Sequence, residues 1–451
     1  MRVWHLFNAV LNDGIGDFIH FVDIYIELKN NPAFQEIKFI PVISVMGEDQ
    51  KKIERIENQL RSLNITEYYC AFMMDFLTFT PSFLKGMPSA FALSLRESEQ
   101  ALFISTDFLY EPIFQRFLPS KAPVKMINEH EIIRSLYKSN SPPYPMGLGD
   151  ECYGIKIREF PKRTIKDASE IIREHDLNFY NRLLMQTNTD SFQELYEKNL
   201  VIPAYFNHSD GFDKLLTLLA FCPSSSKGIV LYYSGRTLFN FELEILAENL
   251  GITIECISGD KVSIFNPNYE RVFKLFIGNY ITDQSYDALF SCAEIVGVSG
   301  DNTLESSVSH QVLPFYMSTN FRLKKSTLEM LQKISQQTDI SISNEARDSF
   351  NVYFDPDYYM GEDFALKSKR LNLNAMMKDW PIIASYLKEN RNFYSRLKEI
   401  CFEGISRDLT NTNKLSGNKT LFFPSQHSEK LGNAREPYED IINSDEYQNK
   451  R

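Results

Sequence analysis

The stretch Asn12-Asp13-Gly14-Ile15-Gly16-Asp17 separates the apolar run Val3 to Val10 from a segment whose apolar residues recur at Phe18, Phe21, Val22 and Tyr25. A buried-strand pattern, two glycines and then a 3.6-residue period spell the first strand, tight turn and helix of an open α/β domain. Gly14 and Gly16 let a ligand approach the backbone, and the following helix offers its first N–H groups. Asp13 and Asp17 supply candidate bases in the same loop. Acids here equally serve to cap and charge the first helical turn, so the loop alone leaves both readings open.

The same alternation continues. Ile37 to Val45 reads as a second strand, and Glu48 to Leu63 as a helix with Ile53, Ile56 and Leu60 on its apolar side. Tyr68 to Met73, Ala101 to Ser105 and Val124 to Ile127 read as further strands of a parallel sheet. Between about 139 and 163 the pattern breaks into Ser141-Pro142-Pro143-Tyr144-Pro145 with Gly147, Gly149 and Gly154, which reads as a long loop. Helical patterns follow at Thr164 to His175 and Leu177 to Leu184, then a polar stretch to about Glu197.

Val201 to Phe206 opens a second unit of the same kind, with the turn Asn207-His208-Ser209-Asp210-Gly211 and an apolar helix from Phe212 to Phe221. Strands at Gly228 to Tyr233, Ile252 to Ile257 and Val272 to Ile277 alternate with a helix at Phe239 to Asn249. Ser326 to Ile334 continues as helix, and Asp379 to Cys401 as a long helical region. The expected fold class is therefore α/β with two Rossmann-like domains: 1–200 with the loop at 139–163, and 201–378. A helical region at 379–405 is expected to pack back toward the first domain, ahead of a polar tail at 406–451 expected to stay disordered. At 451 residues the chain is long enough for two cores.

Charge and residue usage narrow the function. A net charge of −11 argues against a general nucleic-acid binder. Six cysteines without a CxxC pair read as reduced and buried, which points to the cytosol, with secretion as the other location considered. Seven histidines form no HExxH or other metal-ligand spacing, so no metal site is expected. No stretch approaches the roughly 18 apolar residues of a membrane span, and the amino terminus reads as a strand and not as a signal peptide.

The second candidate stretch is Tyr286-Asp287-Ala288-Leu289-Phe290-Ser291-Cys292, followed by the apolar Ile295 to Val298 and then Ser299-Gly300-Asp301-Asn302-Thr303-Leu304-Glu305. It reads as helix, strand, glycine turn and a helix opening on polar residues, with another strand after Pro314. Turn amides at 300–303 suit an anion.

Together the two stretches resemble a GT-B glycosyltransferase, in which an amino-terminal acceptor domain carries the base and a carboxy-terminal domain holds a nucleotide sugar. Three patches resemble the bacterial protein-arginine rhamnosyltransferases, which use dTDP-rhamnose. These are Asp13 to Asp17 (that family's D-x-x-G-D loop), Ala204-Tyr205-Phe206-Asn207 with the helix at Phe212 to Leu216, and Tyr286-Asp287-x-Leu289-x-x-Cys292 with Gly300 to Thr303. The Gly16-Asp17 pair also resembles the heptosyltransferase loop. Ser299 stands where the rhamnosyltransferases have an arginine, and Asp301-Asn302 where they have Glu-Asp.

What the resemblance implies is an inverting, metal-independent transfer from a dTDP- or UDP-linked sugar, with no cofactor. Asp17 is the expected base and Asp13 its partner. A protein side chain such as arginine is one candidate acceptor; a carboxylate pair would match its guanidinium. Ser299, Gly300, Asp301, Asn302 and Thr303 are the expected pyrophosphate cradle. Glu305 has two readings of equal weight, ribose acceptor or helix acid. Tyr205 or Phe206 would stack on the base or belong to the core, and Arg236 would meet phosphate or solvent. His20 and His310, near the two stretches, read as residues that pack or hydrogen-bond on their helices before they read as catalytic, with approach to the nucleotide the other reading of His310. Two rivals remain: a sugar-nucleotide epimerase of the same architecture, and a catalytically silent interaction protein.

Overall fold

The computed structural model describes residues 2–10, 16–45, 49–72, 94–104, 122–128, 143–150, 152–160, 163–206, 208–222, 227–235, 238–278, 280–318, 321–359, 361 and 363–403. All lie in the first of two compact units, Met1–Gly404; the expected tail at 406–451 falls outside them.

The first sheet grows outward from β1 (Arg2–Val10). Helix α1 (Gly16–Asn30) leads to β2 (Ile37–Val45), and α2 (Gln50–Ser62) to β3 (Tyr69–Phe72). The chain then returns to the other side of β1 with β4 (Gln100–Ile104), β5 (Val124–Asn128) and β6 (Pro143–Pro145). The order is β3-β2-β1-β4-β5-β6, parallel throughout. Seven consecutive residues of β1 and of β2 are buried, which explains why these strands read as continuous apolar runs and not as alternating ones. α2 shows the opposite pattern, burying Ile53, Ile56 and Leu60 on one stripe, and its first turn is capped by Asp49 accepting from the Lys51 amide at 3.0 Å.

β6 lies inside the stretch that the sequence presents as a loop. Two of its three residues are proline, which cannot donate to a ladder, and an edge position with one neighbour tolerates that. A second departure follows it. Helix α3 (Ile165–His175) starts on a reciprocal Thr164–Asp167 capping box, and α4 (Leu177–Thr187) is followed by α5 (Phe192–Lys198) in the stretch read as polar. Three residues of α5, Phe192, Leu195 and Tyr196, form one buried face, too short a signal to show periodicity.

These three helices pack on the second sheet. Ala168, Ile172, Phe179, Leu183 and Leu195 share a core with Val230, Tyr232, Ile257 and Phe276 of its strands. That sheet contains β7 (Asn199–Ala204), β8 (Gly228–Tyr233), β9 (Thr253–Ser258), β10 (Lys261–Phe265), β11 (Val272–Ile277), β12 (Ile295–Val298) and β13 (Leu313–Tyr316). Its order is β10-β9-β11-β8-β7-β12-β13, with only β10 antiparallel. The β9–β10 hairpin, unread in the sequence, turns at Gly259 with a φ of +59°.

The other face of this sheet carries α6 (Ser209–Phe221), α7 (Asn240–Leu250), α9 (Asp301–Ser309) and α10 (Phe321–Ser335) within one large core; α8 (Asp283–Cys292) joins α3 on the first face. After α11 (Asn344–Tyr353) and α12 (Phe364–Ser368), the long helical region divides into α13 (Leu373–Asn390) and α14 (Phe393–Phe402). α13 buries Met376, Trp380 and Leu387 in the second core. α14 lies on the first domain: Phe402 stacks on Phe34 at 5.2 Å and meets Trp4 edge-on, and Gln100 Nε2 donates to Cys401 O at 2.9 Å. The break comes at Asn392, whose side chain caps α14 and also accepts from Ile157 N and donates to Ile157 O.

Candidate functional site

In an open α/β sheet, ligands gather outside the carboxyl ends of the strands where the strand order reverses. In the first sheet this point lies between β1 and β4, and α1 rises from the β1 side of it. Asp13 and Gly14 lie outside the described residues. Gly16 and Asp17 are the first two residues of α1; the Asp17 side chain also lies outside the description. Buried His20 follows on the same helix.

In the second sheet the reversal lies between β7 and β12, and the sequence-predicted donor residues flank it. The Tyr205 amide donates to Gly297 O at 2.9 Å, so the loop after β7 is hydrogen-bonded to the end of β12. Tyr205 is 38% exposed, whereas Phe206 is buried, packed edge-to-face on Phe315 and against Gly297 and Gly211. Of the two, only Tyr205 offers a ring face to a ligand. Arg236 lies outside the described residues.

Ser299 to Thr303 form the turn into α9. Gly300 is its N-cap, and Thr303 Oγ1 folds back to accept from Gly300 N and donate to Gly300 O at 2.8 Å. Leu304 is the first residue to reach back to Gly300 O; amides ahead of such a residue have no carbonyl within their own helix. Asp301 accepts from the Tyr316 hydroxyl at 3.0 Å. Ser299 is 5% exposed, and among the described residues its hydroxyl has no hydrogen-bond partner.

Asn302 and Glu305 have partners that the sequence did not suggest. The segment after β6 runs as an extended strap between the domains, bridged to the α13–α14 junction where Ile155 N donates to Arg391 O. Its Lys156, 3% exposed, places Nζ 2.8 Å from Asn302 Oδ1, 3.2 Å from Glu305 Oε2 and 3.1 Å from Asp23 Oδ2 on α1. The Lys156 amide donates to Glu305 Oε1 at 2.9 Å. Arg158 pairs with the other oxygen of Asp23, and its amide donates to Ser309 Oγ. Burial opposes the charge on Lys156, but the carboxylates of Glu305 and Asp23 outweigh it and raise its pKa. Burial likewise leaves the Glu305 carboxyl above the usual carboxylate range, against the pull of Lys156. Both Glu305 oxygens are thus engaged by the strap. The signal that could have found Lys156 was the alternation Gly154-Ile155-Lys156-Ile157-Arg158, whose isoleucines are buried.

His310 closes the far end of α9, roughly 15 Å from Gly300 at 1.5 Å per residue, where it stacks on Phe160 and hydrogen-bonds Asp287 at 3.1 Å. Arg163 pairs with the second oxygen of Asp287, which pins the strap's end to α8. All six cysteines are free. Among the described residues no helix is long and apolar enough to cross a membrane.

One fully parallel sheet and one parallel except for β10, each with a reversal point at its carboxyl edge, and a carboxy-terminal helix that returns to the first domain define a protein of the GT-B architecture, with two Rossmann-like domains. No protein-family model and no curated protein matches the chain. Among solved structures it is similar in chain path to HepE of Anabaena, in complex with UDP and glucose, at 10% identity and a TM-score of 0.46, covering 89% of this chain and 98% of that one. The trehalose-6-phosphate phosphatase N-terminal domain of Candida albicans matches at 10% identity and 0.43, over 89% and 96%. EarP, which mediates arginine glycosylation of translation elongation factor EF-P, matches at 12% identity and 0.37, over 88% and 98%.

Proposed function

We propose that this protein is an inverting glycosyltransferase that takes its sugar from a nucleotide-sugar donor. The domain of β1–β6 receives the acceptor, and the domain of β7–β13, with α3–α5 on its back, holds the donor. The observation that carries this reading is the buried, unpartnered hydroxyl of Ser299 at the N-terminus of α9, beside the reversal point of the second sheet. A buried hydroxyl without a partner costs free energy, and an anion accepting from it and from the helix amides removes that cost.

In this reading the diphosphate rests on the turn from Ser299 to Thr303, and Tyr205 stacks on the nucleobase. Arg236, three residues after β8 in the sequence, is assigned to a phosphate. Asn302 and Glu305 act one step away, fixing α9 through Lys156. Asp17 removes the acceptor proton as the acceptor atom bonds to the anomeric carbon from the opposite face. The bond from that carbon to the diphosphate oxygen breaks, and its electron pair leaves with the nucleoside diphosphate. Asp13 orients the acceptor; an arginine guanidinium is the side chain that two carboxylates would fit best.

The test is a melting-temperature panel of UDP-, GDP-, ADP- and dTDP-sugars, followed by donor hydrolysis with wild type and Asp17→Asn on every ligand that stabilises. A donor that raises the melting temperature of both proteins but turns over only with wild type supports the reading. Equal turnover by the two removes Asp17 from the mechanism, and no stabilisation by any donor overturns the assignment.

A further inference from the structure

Lys324 follows β13 at the same carboxyl edge and, among the described residues, belongs to no ion pair. It lies on α10, the helix after β13, and is 5% exposed. Its ammonium touches Met317 Sδ at 3.1 Å and lies 4.6 Å from the centre of the Tyr359 ring. Among the described residues no carboxylate comes within ion-pair distance of it. The nearby acid of α6, Asp210, is 3.0 Å from Lys214, also on α6. Buried lysines are normally paired, because a thioether and a ring face replace only part of an ammonium's hydration. Burial, followed by the field of Lys214 and against that of Asp210, accordingly pulls the Lys324 pKa down to about 8.

The position relates this cation to the donor turn. Tyr316 pairs with Val298 in the β12–β13 ladder, and the Met317 amide donates to Val298 O at 2.8 Å. Met317, which the ammonium touches, therefore lies beside Ser299, about one strand spacing of 4.8 Å away. The same sheet edge thus carries a buried ammonium with no carboxylate at ion-pair distance and a buried hydroxyl with no hydrogen-bond partner, both among the described residues.

Resting on the glycosyltransferase reading, we propose that Lys324 is the cation that takes the diphosphate of the donor and holds its charge as the leaving group departs. A compact ammonium needs no bidentate geometry to do this. Ser299 and the α9 amides place the diphosphate, and Lys324 neutralises it.

The experiment is calorimetric binding of UDP, GDP, ADP, dTDP and inorganic pyrophosphate to wild type, Lys324→Met, Lys324→Arg and the exposed-neighbour control Lys325→Met. The expected result is tight binding of at least one nucleoside diphosphate by wild type, about ten-fold or more weaker binding by Lys324→Met, and near wild-type binding by Lys324→Arg and Lys325→Met. Pyrophosphate should follow the same order, which separates a diphosphate contact from a nucleobase contact. The unliganded Lys324→Met protein should melt no lower than wild type, since it buries no unpaired charge; Lys324→Gln takes its place should it misfold. Wild-type affinity in the Met and Gln variants overturns the role of Lys324 and leaves the glycosyltransferase reading standing. Absence of nucleoside diphosphate binding by wild type overturns both.

Discussion

Lys156 Nζ lies 3.2 Å from Glu305 Oε2 with both side chains buried, and the same ammonium reaches Asp23 on the other domain. One strap residue therefore ties the helix whose first turn holds Asp17 to the helix that begins with the donor turn. Removing one partner from such a cluster leaves uncompensated buried charge. Lys156→Met should cost about 3–5 kcal/mol, read as a lower first transition in urea unfolding. Glu305→Gln should cost clearly less, because Lys156 keeps Asp23 and its amide keeps an acceptor. Equal costs would show that Glu305 and not Lys156 holds the cluster together.

Gly297 allows the loop after β7 to close on β12. A Cβ at this position would lie 2.6 Å from Phe206 Cζ and 2.8 Å from Ala204 Cβ, closer than the packed ring and the neighbouring strand can accept. Gly297→Ala should therefore destabilise the second domain by about 1–3 kcal/mol. It should also weaken nucleotide-sugar binding through displacement of Tyr205. A variant as stable as wild type would mean that Phe206 has room to move.

Ser299→Ala separates stability from binding. Deleting a buried hydroxyl that lacks a partner should raise the stability of the unliganded protein by about 1 kcal/mol, while the stabilisation gained from a nucleoside diphosphate shrinks. Opposite signs in melting curves with and without ligand are the expected result. A loss of stability without ligand would show that the hydroxyl has a partner after all.

His5 makes the first domain acid-sensitive. It is fully buried on β1, its Nε2 lies 2.8 Å from Ser94 Oγ, and burial followed by the field of Lys38 pulls its pKa from 6.5 to about 4. The folded state thus binds its proton less readily than the unfolded state. The stability this contributes is complete above pH 6.5 and is lost as pH falls toward 4, roughly 3 kcal/mol in all. Urea unfolding of wild type between these pH values should show the loss, and His5→Gln should flatten that part of the profile. An unchanged slope in the variant would assign the acid sensitivity elsewhere.

Much of the fold was legible because buried parallel strands and one-sided helices leave strong local marks. The runs Val3 to Val10 and Ile37 to Val45 and the stripe Ile53, Ile56, Leu60 needed no tertiary information. The β9–β10 hairpin, the proline-rich β6 and the short α5 carry too few residues for a period to show, and their placement comes from neighbours. Of the candidate site, the turn into α9 was legible, because Gly300 and the polar residues after it mark a helix start at a sheet edge; Asp13, Gly14 and Arg236 lie outside the described residues.

By itself, the sequence determined the alternation of strand and helix, the division into two such series and the turn from Ser299 to Thr303, because each follows from contacts a few residues apart. Only the tertiary structure decided that Phe206 is core while Tyr205 faces outward, and that Glu305 answers to Lys156. It alone put the Lys324 ammonium against Met317, whose amide bonds to the residue before Ser299. Those facts depend on residues up to about 150 positions apart in the chain, and no local pattern encodes which buried charge will find which partner.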